Sequence, residues 1–204
     1  MRRVALLFSA LAAVAFLFSP HPVSTVVKGL SVSLLALVAL GSGRRLLASA
    51  LLLSSAGDVV LDLDARLFVL GLVAFLAAHI VYVALFVRHR RATRSTDGRH
   101  AVLVALVVYG LIFGCWLWPG LGDLRMPVVV YMTAILAMVW TATRAGYRGY
   151  WVVAGALLFL LSDSILGASR FRVEIPGHSW LTWVTYYAGQ RLLATEGDGT
   201  RLLN

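Results

Sequence analysis

Apolar residues fall in eight blocks separated by short polar connections. The blocks run over about residues 4–20, 24–42, 45–62, 66–87, 101–118, 124–143, 149–168 and 179–195. Each is close to the ~20 residues that a helix needs to cross the hydrocarbon of a bilayer. Helix is the state such blocks adopt in lipid, because a lipid-exposed backbone must satisfy its own hydrogen bonds. The connections carry the punctuation, as in Ser19-Pro20-His21-Pro22, Gly41-Ser42-Gly43, Asp62-Leu63-Asp64 and Pro119-Gly120-Leu121-Gly122. The pattern predicts an all-α, polytopic transmembrane helix bundle of eight spans. It forms a single domain over residues 1–195, followed by a polar tail over 196–204.

Composition agrees with that reading. The chain is 60% hydrophobic and 13% charged, with a mean hydropathy of +0.87; a soluble domain is closer to half apolar and a quarter charged. The net charge of +9 does not call for a nucleic-acid partner, because the basic residues sit in connections between apolar blocks. With the N-terminus inside, only Lys28, Arg66, Arg125, Arg170 and Arg172 fall on outer segments. The rest of the 18 basic residues fall on inner ones, as the positive-inside rule expects. Both termini are therefore expected in the cytoplasm of a multi-pass protein of a cell membrane, a bacterial plasma membrane in the simplest case. Arg2 and Arg3 followed by apolar residues resemble a signal peptide, but no small-x-small site follows, so this stretch is read as the first retained helix. The single Cys115 reads as a small buried apolar residue. Trp116, Trp118, Trp151, Trp180 and Trp183 read as interfacial anchors.

The two halves of the chain are faintly alike. Gly57-Asp58-Val59-Val60-Leu61 matches Ser162-Asp163-Ser164-Ile165-Leu166, and the same offset carries Tyr82 onto Tyr187. Four plus four spans would form a parallel repeat, one known way to frame a site in a membrane.

Ionisable groups inside hydrocarbon are costly, and each asks for a reason. Asp58, Asp163 and His79 lie deep in their blocks, whereas Lys28 lies nearer the outer boundary. Asp58 with Asp62, His79 with Tyr82, and Tyr186 with Gln190 share helix stripes by their spacing. Stripes that face a common centre would make a polar, partly hydrated cavity, and two carboxyls in unequal surroundings divide into a protonated acid and an ionised partner. Plainer readings stand beside this one. An intramembrane Asp can be a structural hydrogen-bond acceptor, His79 can be a packing residue, and Asp62 and Asp64 read as interfacial loop residues. Phosphate-binding glycine loops, GxSxG and HExxH are absent. Ser54, Ser55 and Ser162 have no base arranged by local sequence, so serine hydrolase chemistry is not expected. No Cys/His cluster suggests a metal.

Four ordered segments resemble a known family. Leu51 to Leu61 is similar to FSxxGDxxL of the YhhN-like lysoplasmalogenases, and Phe68 to Tyr82 is similar to FxxGLxxFxxxHxxY. Gly155 to Asp163 is similar to GAxLFxxSD, and Tyr186 to Gln190 to YYxxQ. The chain departs at Lys28-Gly29, where the family tends to carry Lys-Pro at a turn opening the second span. The resemblance implies hydrolysis of the vinyl ether bond of lysoplasmalogens to a fatty aldehyde and a glycerophospho-base. Asp58 and Asp163 would be the catalytic carboxyls, and His79 would relay or orient the proton. Tyr82, Tyr186, Tyr187 and Gln190 would contact substrate or water, and Lys28 the phosphate. No metal or other cofactor is implied, and the partners are an ether lysophospholipid and the bilayer. Buried Asp, His and Tyr also build proton relays. A proton-coupled transporter of lipids or small molecules, and a lipid-binding protein without turnover, are the rival functions.

Overall fold

The structure, a computed structural model, describes residues 2–90, 97–147 and 150–196. Its helices are α1 (Arg2–Phe16), α2 (Val23–Gly41), α3 (Arg45–Leu63), α4 (Phe68–Arg88), α5 (Asp97–Leu117), α6 (Arg125–Arg144), α7 (Trp151–Phe171) and α8 (His178–Glu196). Each coincides with one of the eight apolar blocks to within a few residues. No strand occurs among the described residues, where extended pairing is limited to an isolated bridge between Arg90 and Ala145. Arg91, Arg94, Arg148 and Arg201, used above to orient the chain, lie outside the described residues. So does the expected polar tail from residue 197 on.

Among the described residues six helices are long and apolar enough to cross a membrane: α2, α3, α4 with the 3₁₀ turn before it, α5, α6 and α7. The chain is thus a multi-pass membrane protein. α1, at 15 residues, extends about 22 Å at 1.5 Å per residue, short of the ~30 Å of hydrocarbon. α8 has 19 residues but carries Thr182, Thr185, Tyr186, Tyr187, Gln190 and Arg191 within its length.

The helices divide into two compact units, residues 1–85 and 86–204, with the division in the last turns of α4. In the first unit α1 packs on α2 and α2 on α3. The turn after α2 shows why Gly41-Ser42-Gly43 punctuates the chain. Gly43 takes a positive φ of 73°, its N–H donates to the Leu40 carbonyl, and the Arg44 N–H donates to the Ala39 carbonyl. This paired closure satisfies carbonyls that a helix end otherwise leaves open, and glycine adopts it at least steric cost. Position 29 lies inside α2 rather than at a turn. Ser55 donates to the Gly29 carbonyl at 2.8 Å and lies 2.9 Å from the Ser33 hydroxyl, tying α2 to α3.

In the second unit α5 packs on α6, α6 on α7, and α7 on α8. α7 and α8 cross at paired glycines: a Cβ on Gly155 would stand 2.9 Å from the Gly189 carbonyl oxygen, and one on Gly189 would stand 2.8 Å from that of Gly155. Small residues let membrane helices approach closely enough to pack backbone on backbone. α5 shows much of its apolar surface outward, with Leu111 63% and Ile112 67% exposed, as suits a helix that faces lipid. Cys115 lies on that helix and is exposed, not buried as expected. In lipid an outward-facing apolar side chain carries no hydrophobic penalty.

Candidate functional site

In the first unit, the glycines of the two resembling segments act as packing gaps. A Cβ on Gly57 would stand 2.6 Å from the Phe75 ring, and one on Gly71 would stand 2.6 Å from Leu61 Cγ. α3 and α4 therefore meet closely at the residue next to Asp58. The meeting turns Asp58, His79 and Tyr82 inward. Asp58 is 3% exposed, and His79 and Tyr82 are fully buried. Ser54, one turn before Asp58, is buried too. The stripe expected from the i,i+3 spacing of His79 and Tyr82 is thus an enclosed face, whereas Asp62 on the Asp58 stripe is partly open.

Lys28 lies nearer one end of the same unit, close to Asp62. Its ammonium stands 3.9 Å from Asp62 Oδ1 and 5.4 Å from the centre of the Phe16 ring. Asp62 is not a loop residue: it occupies the last turn of α3. Its Oδ2 accepts a hydrogen bond from the Thr25 hydroxyl and another from Ser24 at 3.4 Å. Asp64 does lie in the connection, where it accepts from the Arg66 N–H at 2.8 Å.

In the second unit, Asp163 is half-buried in α7, and Asp163 Oδ2 accepts a hydrogen bond from the Tyr131 hydroxyl of α6 at 2.5 Å. The next residue, Ser164, lies 2.6 Å from the Tyr109 hydroxyl of α5. Ser162 donates to the Thr182 carbonyl of α8 at 3.0 Å. Three consecutive residues of α7 thus bond three neighbouring helices, which fixes the rotation of α7 about its axis. On α8, Tyr186 and Gln190 are buried. The Tyr186 ring meets Phe159 edge-on at 5.2 Å, and Trp183 stacks on Tyr187 at 5.9 Å. Trp183 is only 3% exposed, so it is part of this aromatic packing and not an interfacial anchor. Trp116, Trp118, Trp151 and Trp180 are exposed, as anchors would be.

A cavity of about 540 Å3 opens between α5 and α6, lined by Gly110, Gly114, Cys115, Met132, Leu136 and Trp140 among others. Its walls are apolar, and Tyr109, Tyr131 and Asp163 are not among its lining residues. Among the described residues no group of three His, Cys, Asp or Glu side chains is placed to hold a metal ion.

Sequence reasoning misplaced Asp62 and passed over Tyr131 and Tyr109. Asp62 shares the Asp58 stripe, and that spacing was the available signal for it. Tyr131 and Tyr109 are lone tyrosines in apolar helices with no spacing partner of their own. Only the packing of α5 and α6 against α7 reveals them. Chemically, each unit offers a carboxyl group within a membrane helix with protic side chains on the same or neighbouring helices. Such groups can deliver a proton, stabilise a cation or activate water.

Residues 23–196 match the YhhN family. Over 162 residues the chain is 38% identical to the lysoplasmalogenase of Mycobacterium bovis, an alignment covering 78% of this chain and 62% of the relative. It is 33% identical over 153 residues to human lysoplasmalogenase TMEM86B, covering 75% of this chain and 63% of the relative. Identity to human lysoplasmalogenase TMEM86A is 30% over 201 residues, covering 90% of this chain and 81% of the relative. The chain spans about three fifths of the length of the first of these relatives. No solved structure matches.

Proposed function

Since this chain belongs to the YhhN family, we propose that it is a lysoplasmalogenase-like membrane hydrolase acting on the vinyl ether bond of an ether lysophospholipid. The observation that carries the reading is the placement of the carboxyls. The two segments most like the family each put an Asp inside an apolar helix, one enclosed with His79 and Tyr82 and one hydrogen-bonded by Tyr131.

A proton passes to the alkenyl carbon remote from the ether oxygen, leaving an oxocarbenium ion. Water adds to the cationic carbon and loses a proton, and the hemiacetal collapses to a fatty aldehyde and the glycerophospho-base. The sum consumes one water and needs no oxidant or reductant. Asp58 and Asp163 are the two carboxyls of this chemistry, one giving the first proton and the other stabilising the cation or taking the proton from water. His79 orients or relays the proton, and the Tyr131 hydroxyl holds the Asp163 carboxyl in place. Tyr82, Tyr186, Tyr187 and Gln190 contact substrate oxygens or water, and Lys28 contacts the phosphate. The reaction runs in one membrane domain of eight spans with both termini in the cytoplasm. Two observations support a four-plus-four repeat: each compact unit contains four helices, and the shift that carries Asp58 onto Asp163 also carries α3 onto α7.

The test is aldehyde release by the purified protein in detergent. A lysoplasmalogen and the matching saturated alkyl ether are compared, with Asp58→Asn and Asp163→Asn alongside. Aldehyde from the vinyl ether alone, lost in both folded variants, is expected. Full activity in both variants would overturn the catalytic assignment. No aldehyde from the native chain would overturn the hydrolase and leave transport or lipid binding.

A further inference from the structure

Lys28 and Asp62 have a geometry that an ordinary structural ion pair does not need. The two oxygens of Asp62 are used differently. Oδ2 is anchored by the Thr25 and Ser24 hydroxyls, which fixes the carboxylate against the first turns of α2. Oδ1 faces the Lys28 ammonium at 3.9 Å, beyond hydrogen-bond reach. The two side chains are 17% and 20% exposed, so the pair is sheltered but open. An anion held rigidly and a cation on a flexible stem thus stand side by side at the same end of α2 and α3. Asp62 also lies one helical turn from Asp58 on the same stripe, about 6 Å along the axis. In an ether lysophospholipid, one glycerol backbone separates the phosphate from the vinyl ether.

We propose that Lys28 and Asp62 together form a subsite for a zwitterionic phospho-ammonium head group, the lipid phosphate meeting Lys28 and the lipid ammonium meeting Asp62 Oδ1. The inference rests on the hydrolase reading and extends it to head-group selection. A lysine alone would favour the most anionic head group available. A fixed carboxylate beside it repels added negative charge and accepts a hydrogen bond from a primary ammonium. Phosphoethanolamine therefore binds best, and a bare phosphate monoester worst. A trimethylated ammonium keeps the attraction but has no N–H to donate, so phosphocholine ranks between them. The Phe16 ring, already against the Lys28 ammonium, sets the apolar floor of the subsite. Asp62 acts on selection and not on bond cleavage.

The test reads binding to the full-length protein in detergent, using saturated alkyl-ether lysolipids that cannot be cleaved as vinyl ethers. Phosphoethanolamine and phosphate-monoester head groups on one chain are compared. The native protein is expected to prefer phosphoethanolamine about tenfold, the scale of one charge-assisted hydrogen bond. In Asp62→Asn, which leaves an amide that Thr25 and Ser24 can still bond, the preference falls to none or inverts. In Lys28→Gln both lipids bind more weakly. Soluble glycerophosphoethanolamine serves as a chain-free competitor. Competition at the concentration of the lysolipid would overturn the lipid assignment and make the ligand a soluble phospho-ammonium compound. Equal binding of both lipids by the native protein, or an unchanged preference in folded Asp62→Asn, would overturn the subsite and leave the pair as a clamp between helix ends. Binding is read without turnover, so the two readings separate. A protein that selects head groups but releases no aldehyde keeps the subsite and loses the hydrolase. One that releases aldehyde with no head-group preference does the reverse.

Discussion

The crossing of α7 and α8 can be tested by adding one methyl group. In Gly155→Ala the new Cβ would meet the Gly189 carbonyl oxygen at 2.9 Å, Leu193 Cγ at 3.0 Å and Leu192 Cβ at 3.2 Å. The first of these is backbone and cannot rotate away, so the helices must part by several tenths of an ångström. Overpacking of this kind costs about 1–3 kcal/mol. Alanine returns up to about 1 kcal/mol through its helix propensity. The net loss is about 1–2 kcal/mol, close to tenfold in the folding equilibrium. Gly189→Ala meets the Gly155 carbonyl oxygen at 2.8 Å and the Phe159 nitrogen at 3.1 Å and should cost as much. Once the helices have parted for one methyl, the second finds room. The double variant should therefore lose less than the sum of the singles, by about 0.5 kcal/mol or more. Gly41→Ala, with nothing within 4 Å of its Cβ, is the control and should be neutral or slightly stabilising. Reversible unfolding in mixed micelles, followed by circular dichroism, measures all four. The reasoning fails if Gly155→Ala and Gly189→Ala are as stable as Gly41→Ala, or if their costs simply add.

Two further outcomes follow from single contacts. Tyr131→Phe removes the hydroxyl that donates to Asp163. Aldehyde release should drop roughly 10- to 100-fold at unchanged helicity, as expected for a hydrogen bond to a charged group; unchanged turnover would remove Tyr131 from the machinery. Cys115, exposed on α5, should react in vesicles with an apolar maleimide but not with a charged, membrane-impermeant one. Equal labelling by both would mean that this face of α5 meets water.

The helices were legible because their signal is repeated many times over. Most blocks are predominantly apolar runs near membrane length, and the boundaries at Gly43 and Asp64 are set by local turn chemistry. Within the site, Asp58, His79, Tyr82, Tyr186 and Gln190 could be grouped because partners three or four residues apart must share a face. The misreadings involve contacts between helices distant in sequence. Asp62 looked like a loop residue beside Leu63 and Asp64, since nothing local announces that Thr25 and Lys28 stand opposite it. Tyr131 sits in α6 with no polar neighbour on its own face, so its bond to Asp163 depends entirely on how α6 and α7 are rotated. Gly29 looked like a substitute at a turn, but its lack of a side chain serves the approach of α3, where Val59 and Ser55 lie against it. Cys115 and Trp183 exchanged roles for the same reason, because hydropathy does not say which side of a lipid-immersed helix faces its neighbours.

α8 carries hydroxyls, an amide and a guanidinium along a stretch of membrane length, and it lies against α7 through the paired glycines. A ribosome delivers this segment after α7 has emerged. A segment this polar gains little from partitioning into lipid alone, and it packs closely against α7. Insertion of these two helices should therefore be ordered, with α8 settling by docking onto α7 rather than by its own hydropathy. Truncation or delay after α7 would leave a chain inserted in the bilayer but lacking Tyr186, Tyr187 and Gln190, and with the Gly155 face of α7 open to quality-control proteases.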